Sequence, residues 1–218
     1  HGIELVFTDN LYQFEELRRL REHGVRTIGR FVWEHFAPEH ATDAKEALDV
    51  VYSLHRGEQE RYAQLGIESP YVPWGCHPEL VGVEPAERRD GNVTLLLPGS
   101  FMGRRKPLDE VLEAFSRTRD PRLRLIVKGQ TAKRQGKLEK AAAADPRIEI
   151  RIADEPTAEH LRFVAGCDVC LAPTRWEGLG LPLYEAVAFG QPVITNDNPP
   201  MNEVVHDGVN GLLVGAAQ

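Results

Sequence analysis

Two hydrophobic periodicities alternate along most of the chain. Short apolar runs read as strands, and stretches with apolar positions three and four residues apart read as helices. Residues 3–8 (IELVFT) predict a strand, residues 11–23 (LYQFEELRRLREH) an amphipathic helix stopped by Gly24, and residues 25–32 the next strand. Residues 41–50 predict a helix running into a strand at 51–54. A helix at 58–65 is closed by Gly66, and 71–72 form a short strand. The rhythm lapses over residues 73–92, where three Pro, three Gly and a knot of charge read as an interdomain linker. It restarts with strand 93–97, helix 108–116, strand 123–127, helix 133–144 and strand 148–152. Helix 158–165, strand 168–172, helix 182–189 and strands 192–195 and 211–214 complete the pattern. Such alternation predicts an α/β protein with parallel strands and helices packed on their faces. Two doubly wound units are expected, one over residues 1–82 including a hinge and one over 90–218.

Composition agrees with a globular protein. Of 218 residues, 42% are hydrophobic and 27% charged, and the mean hydropathy is -0.36. The net charge of -7 gives no basic face for general nucleic-acid or anionic-membrane binding. No run approaches the ~18–20 apolar residues of a membrane span. Three cysteines (Cys76, Cys167, Cys170) are too few for a secreted disulfide scaffold, so a reducing, cytoplasmic setting is expected. The first residues, His1-Gly2-Ile3-Glu4, and the last both read as cut ends of a longer chain, in which the N-terminal unit is incomplete.

In doubly wound sheets ligands sit at the carboxyl ends of strands, and two loops there carry candidate chemistry. The first runs Thr174-Arg175-Trp176-Glu177-Gly178-Leu179-Gly180-Leu181-Pro182-Leu183-Tyr184-Glu185. Gly178 and Gly180 admit close approach to the backbone, and Pro182 suits the first helical position. Free N–H groups and the helix dipole then favour an anion such as phosphate. Glu177 and Glu185, with seven residues between them, are acceptors suited to sugar or ribose hydroxyls. Phosphate flanked by hydroxyls describes a nucleotide-sugar. The second loop, Pro98-Gly99-Ser100-Phe101-Met102-Gly103-Arg104-Arg105-Lys106-Pro107, sets cations beside a helix start, where they would neutralise a diphosphate.

The run E-G-L-G-L-P-L-Y-E, followed by A-V-A-F-G-Q-P-V-I-T and later E-V-V-H-D-G-V-N-G-L-L-V, resembles the donor-binding domain of family-4 glycosyltransferases. These are retaining enzymes of the GT-B fold, with two facing Rossmann-like domains. The resemblance covers residues 93–214. It implies that Glu185 holds the nucleotide ribose, that Glu177 meets hydroxyls of the transferred sugar, and that the backbone of Gly178, Leu179, Gly180 and Leu181 contacts the sugar and diphosphate. It further implies that Arg105 and Lys106 clamp the leaving diphosphate without a metal. An earlier arginine of the family falls on Ser100, and the glycine after its Arg-Lys falls on Pro107. Residues 151–155 (RIADE) would meet the nucleotide base. The family's Gly-Gly-Xaa-Pro-Glu corresponds to residues 198–203, where Glu203 alone matches.

The implied activity is a metal-independent, hexosyltransferase-type transfer from a nucleotide-diphosphate sugar to an acceptor hydroxyl, with no further cofactor, in carbohydrate biosynthesis. The acceptor (sugar, lipid or protein) stays open, and a peripheral membrane association is compatible with relatives that act on lipids. Two alternatives remain open: a nucleotide-sugar epimerase of the same fold, and a non-catalytic nucleotide-sugar-binding module. Cys167-Asp168-Val169-Cys170 has redox or zinc spacing but no second pair, so it reads as core. Trp33, Trp74 and Trp176 offer faces that suit carbohydrate, although packing in core or hinge is the commoner use.

Overall fold

The computed structural model describes residues 2–86, 91–99, 104–130 and 135–215. The chain divides into two compact units, His1–Trp74 and Gly75–Gln218.

The first unit holds strands β1 (Leu5–Asp9), β2 (Arg26–Arg30) and β3 (Val50–Val51) and helices α1 (Phe14–Glu22), α2 (Ala41–Ala47) and α3 (Arg56–Gln64). The strands form a parallel sheet in the order β1-β2-β3. Helix α1 carries Glu15 and Glu16 in its first turn and Arg19 and Arg21 near its end, complementing the helix dipole. Its Leu17 is buried with Phe31, Ala44, Ala47, Leu48, Val51 and Tyr62. The Tyr62 hydroxyl donates to the Phe31 carbonyl at 2.6 Å and accepts from the Phe31 N–H at 2.9 Å, so this buried phenol is satisfied. The expected helix at 11–23 starts later, because Asn10 adopts a positive φ of 56° and bonds back to the Arg30 carbonyl. The expected helix at 41–50 ends at Ala47. Asp49 there turns to accept from the Thr27 N–H at 2.8 Å and donates its own N–H to the Thr27 carbonyl. The strand expected at 51–54 is Val50–Val51, the Leu54 N–H donating to the Glu58 carboxylate at 2.8 Å, and the strand expected at 71–72 is a single bridge from Tyr71 to Ser53.

The second unit comprises β4 (Val93–Pro98), α4 (Leu108–Arg117), β5 (Leu123–Gly129), α5 (Gln135–Ala144), β6 (Ile148–Ile152), α6 (Thr157–Ala165), β7 (Val169–Leu171), α7 (Leu181–Ala188), β8 (Val193–Asn196), α8 (Met201–Val204) and β9 (Gly211–Val214). All six strands are parallel, in the order β6-β5-β4-β7-β8-β9. In the unit's own count this is 3-2-1-4-5-6, the Rossmann order. Alternate strand residues feed opposite layers. Leu97, Leu125 and Val127 pack with Leu108, Val111, Leu112 and Phe115 of α4 and Leu138 of α5 on one side. Leu96 and Ile126 pack with Val164 and Cys167 on the other. Each buried aliphatic side chain contributes ~1.5–3 kcal/mol. The α4 set falls at the helical spacing that the sequence predicts.

Two features depart from the sequence pattern. Helix α7 opens at Leu181, so Pro182 takes the second helical position. Helix α8 has four residues that no periodicity signals. Among the described residues no helix is long and apolar enough to cross a membrane.

Candidate functional site

The order of strands reverses between β4 and β7, and the crevice above their carboxyl ends is where a Rossmann sheet binds ligands. Both candidate loops emerge there. The 98–107 loop leaves β4 and feeds α4; the loop after β7 feeds α7. They are tied together by the Arg175 N–H, which donates to the Arg105 carbonyl at 2.9 Å. Asn196, at the end of β8, accepts from the Thr174 N–H at 2.7 Å, and the Thr174 hydroxyl donates to the Trp176 carbonyl at 2.8 Å. The loop after β7 is therefore pinned from both sides.

This pinning turns Glu177 inward. Its Oε1 accepts from Lys106 Nζ at 2.9 Å, and its Oε2 accepts from the Arg105 guanidinium. Lys106 and Glu177 are buried, whereas Arg105 is about a third exposed. Two cations face one carboxylate, which leaves the cluster with a net positive charge. Three residues that the sequence nominates from loops more than 70 positions apart are thus in direct contact.

Glu185 occupies a different environment. It lies one turn into α7 and lines a cavity of about 310 Å³ together with Leu181 and Pro182. The cavity's other walls are Pro98 and Gly99 from β4, Lys128 and Gly129 from β5, residues 153–155, and Thr157 and His160 of α6. Burial pushes the Glu185 carboxyl above the usual carboxylate range. At the rim Gly180 caps α7 in the left-handed region (φ 77°), and its carbonyl accepts from the Leu183 N–H at 2.8 Å. A Cβ at Gly180 would lie 2.9 Å from Leu183 Cδ1, so this position needs glycine on both counts. Gly178 and Leu179 complete the half-buried approach to the helix, and Leu181 is exposed. Ser100 lies outside the described residues.

Of the far wall of the cavity the sequence nominates residues 151–155, of which Ala153, Asp154 and Glu155 line it, and misses Lys128, Gln130 and His160. Lys128, at the end of β5, is buried and donates to Glu155 at 2.8 Å. Arg151 donates to the same carboxylate at 3.0 Å. The Lys128 hydrogen bond is the main cause holding Glu155 below its ordinary value. Burial chiefly holds the His160 imidazole below its own. Gln130 donates to Asp154 at 3.1 Å at the cavity edge. The signal for Lys128 was a lone lysine closing an apolar strand (LRLIVKG), ordinarily read as a solvated strand end. Cys170 also lines the cavity, and burial pushes its thiol up to about 12. Cys167 is buried and shifted likewise, so the CxxC stretch is core. Among the described residues no three His, Cys, Asp or Glu side chains are grouped to hold a metal.

Of the other nominated aromatics, Trp33 carries the Arg61 guanidinium 4.2 Å over its ring, while Trp74 and Trp176 are 43% and 40% exposed.

Comparison with known proteins extends this geometry. Residues 86–218 match the family model described as glycosyl transferases group 1. The lipopolysaccharide core biosynthesis mannosyltransferase LpsB of Rhizobium meliloti (strain 1021) is 33% identical over 86 residues, 34% of this chain and 24% of that protein. An uncharacterized 41.2 kDa protein in the cps region of Klebsiella pneumoniae is 49% identical over 47 residues, 22% of this chain and 13% of that protein. Among solved structures, Anabaena HepE in complex with UDP-glucose superposes with a TM-score of 0.76 at 15% identity, over 97% of this chain and 65% of that one. Sucrose-phosphate synthase from Thermosynechococcus elongatus gives 0.75 at 18% identity, over 98% and 61%. At these identities the likeness is one of fold: α/β with parallel, Rossmann-like sheets, as in GT-B glycosyltransferases. This chain spans under two thirds of each of these proteins.

Proposed function

The chain belongs to the glycosyl transferases group 1 family, and on that premise we propose that its second unit binds a nucleotide-diphosphate sugar and serves a retaining, metal-independent transfer of the sugar to an acceptor hydroxyl. The observation that carries this reading is the cluster of Arg105 and Lys106 on Glu177, beside the N-terminus of α7 and next to the cavity that holds Glu185. The UDP-glucose in HepE supports a nucleotide-sugar as the ligand class.

Each group has a physical task in this reading. The nucleoside occupies the cavity, where Glu185 accepts from ribose hydroxyls. Burial makes an ionised Glu185 costly in the empty cavity, and hydrogen bonds from a bound ribose offset that cost. The diphosphate lies against the start of α7, where the backbone of Gly178, Leu179, Gly180 and Leu181 and the helix dipole meet it. As the anomeric C–O bond to the diphosphate breaks, its electron pair stays on the diphosphate; the acceptor oxygen bonds to the anomeric carbon, and the acceptor hydroxyl's proton passes to the departing diphosphate. The surplus positive charge of Arg105 and Lys106 stabilises that developing anion, with Lys106 acting from a buried position. Glu177 holds both cations at the crevice and accepts hydroxyls of the transferred sugar.

Calorimetric titration with UDP-, GDP- and ADP-sugars tests the reading. One donor should bind, and Lys106→Ala and Glu185→Ala should each weaken it by about tenfold or more. A folded chain that binds none of them overturns the proposal. Product analysis with the bound donor separates transfer, which needs an acceptor, from epimerisation, which does not.

A further inference from the structure

A second pocket is built from the same two loops and the start of α4. Arg104, Asp109, Glu110, Arg175 and Trp176 line a volume of about 360 Å³, within the size range of small-molecule sites. We propose that this pocket is a carbohydrate subsite that holds a sugar unit of the acceptor, a role that rests on the glycosyl-transfer reading above.

The lining residues argue for this ligand class. The Trp176 indole is 40% exposed, although its backbone is fixed by the Thr174 hydroxyl and the loop is tied to Arg105. An aromatic face displayed on a braced loop is a platform for the apolar C–H face of a pyranose, with large contact area and little ordering cost. Around it stand two guanidinium groups and two carboxylates. Arg175 bonds the Glu110 carboxylate and, at 2.9 Å, the Arg104 carbonyl; Asp109 pairs with Lys137 at 2.7 Å. Planar donors and acceptors in this mixture match sugar hydroxyls, each of which both donates and accepts. The lining charges alternate in sign, two guanidinium groups and two carboxylates with Lys137 on Asp109 behind them, so the wall offers donors and acceptors side by side. An aliphatic ligand would leave its charged walls desolvated without hydrogen bonds.

Position gives the subsite its role. Arg104 and Trp176 are the immediate chain neighbours of Arg105 and Glu177. Consecutive Cα atoms are ~3.8 Å apart, so the pocket adjoins the ion-paired cluster on one pair of loops. A sugar bound on Trp176 is then next to the loop position of Glu177, from which an acceptor chain can extend toward the reacting centre.

The test is ligand-observed NMR with neutral disaccharides of glucose, galactose and mannose. UDP-, GDP- and ADP-sugar binding is measured on the same samples. The wild-type chain should bind at least one disaccharide in the millimolar range. Trp176→Ala should weaken it by about tenfold or more, Trp176→Phe should retain part of the binding, and Glu110→Gln should weaken it several-fold. Nucleotide-sugar affinity should be unchanged in Trp176→Ala. A folded wild type that binds no disaccharide, or undiminished binding in Trp176→Ala, overturns the proposal. Disaccharide binding that depends on Trp176 in a chain that binds no nucleotide-sugar overturns the donor reading and keeps the subsite as a carbohydrate site.

Discussion

Replacing Lys106 by methionine tests the central cluster, because it removes one charge and keeps the length of the side chain. Lys106 Nζ lies 2.9 Å from Glu177, and the two side chains are 2% and 8% exposed. Breaking a fully buried pair from one side costs about 3–5 kcal/mol, mostly through the charge left behind. Here Arg105, 34% exposed, stays on the other oxygen of Glu177 and compensates part of that loss, so the expected cost is about 2–3 kcal/mol. For a chain of this size that lowers Tm by roughly 5–10 °C. The double variant Lys106→Met/Glu177→Gln removes the stranded carboxylate as well. It should recover at least about 1.5 kcal/mol of the summed single losses. Denaturant or thermal unfolding of the wild type, both singles and the double gives the cycle. Single losses that add to within about 0.5 kcal/mol of the double would refute the coupling. In the same cycle Arg105→Ala should cost less stability than Lys106→Met, because its guanidinium is partly solvated, yet weaken nucleotide-sugar binding comparably.

Three further outcomes follow from the same geometry. Burial raises the Glu185 carboxyl above its ordinary value of 4.5, so its stabilising contribution is complete below that pH and is lost as pH rises through the folded value. Glu185→Gln should therefore match the wild type in Tm near pH 4 and exceed it once the pH has risen through the folded value, while losing nucleotide-sugar affinity; a constant Tm difference from pH 4 upward would contradict the assignment. Gly180→Ala meets both the left-handed backbone and the Leu183 side chain, and should cost about 1–3 kcal/mol in unfolding experiments. Cys76 is exposed while Cys167 and Cys170 are buried with thiols raised to about 12. A thiol reagent should thus label one cysteine in the native chain and three after denaturation, and rapid native labelling of Cys170 would show that the cavity wall opens.

The parts of the fold legible in the sequence are those set by local pattern. The apolar run of β5 and the spacing of Leu108, Val111, Leu112 and Phe115 on α4 announce a buried strand and a helix packed on it. Helix α8 was not legible, because four residues after Pro200 complete no period. The bounds of the two-residue β3 are not legible either, because they depend on Asp49 bonding to Thr27, 22 positions away, and on the Leu54 N–H being taken by Glu58. The same division holds at the candidate site. Glu177, Arg105 and Lys106 stand out by residue type and by their place in loops before helices, and Glu185 by its place in the first turns of α7. Lys128 and His160 do not, because their importance comes from the register of β5 on β6, which pairs Lys128 with Arg151 and brings Glu155 within reach.

Glu177, in the loop before α7, and Glu185, one turn into that helix, stand in different environments. Glu177 is an anion already neutralised, with each oxygen on a cation. Glu185 lines a cavity in which burial favours its neutral form. A polyhydroxyl ligand meets these two acceptors differently: at Glu185 it supplies donors to a carboxylate whose ionised form burial disfavours, whereas at Glu177 it must share an acceptor that Arg105 and Lys106 already use. A diphosphate placed between them relieves that competition, because it offers the cations a second anionic partner and frees lone pairs of Glu177 for sugar hydroxyls. The arrangement therefore favours a ligand that carries its diphosphate between two hydroxyl-bearing ends over a free sugar or a free nucleoside. Its binding should show a sugar and a nucleoside each weaker alone than their separate contacts suggest, and the intact nucleotide-sugar tighter than the sum of the two.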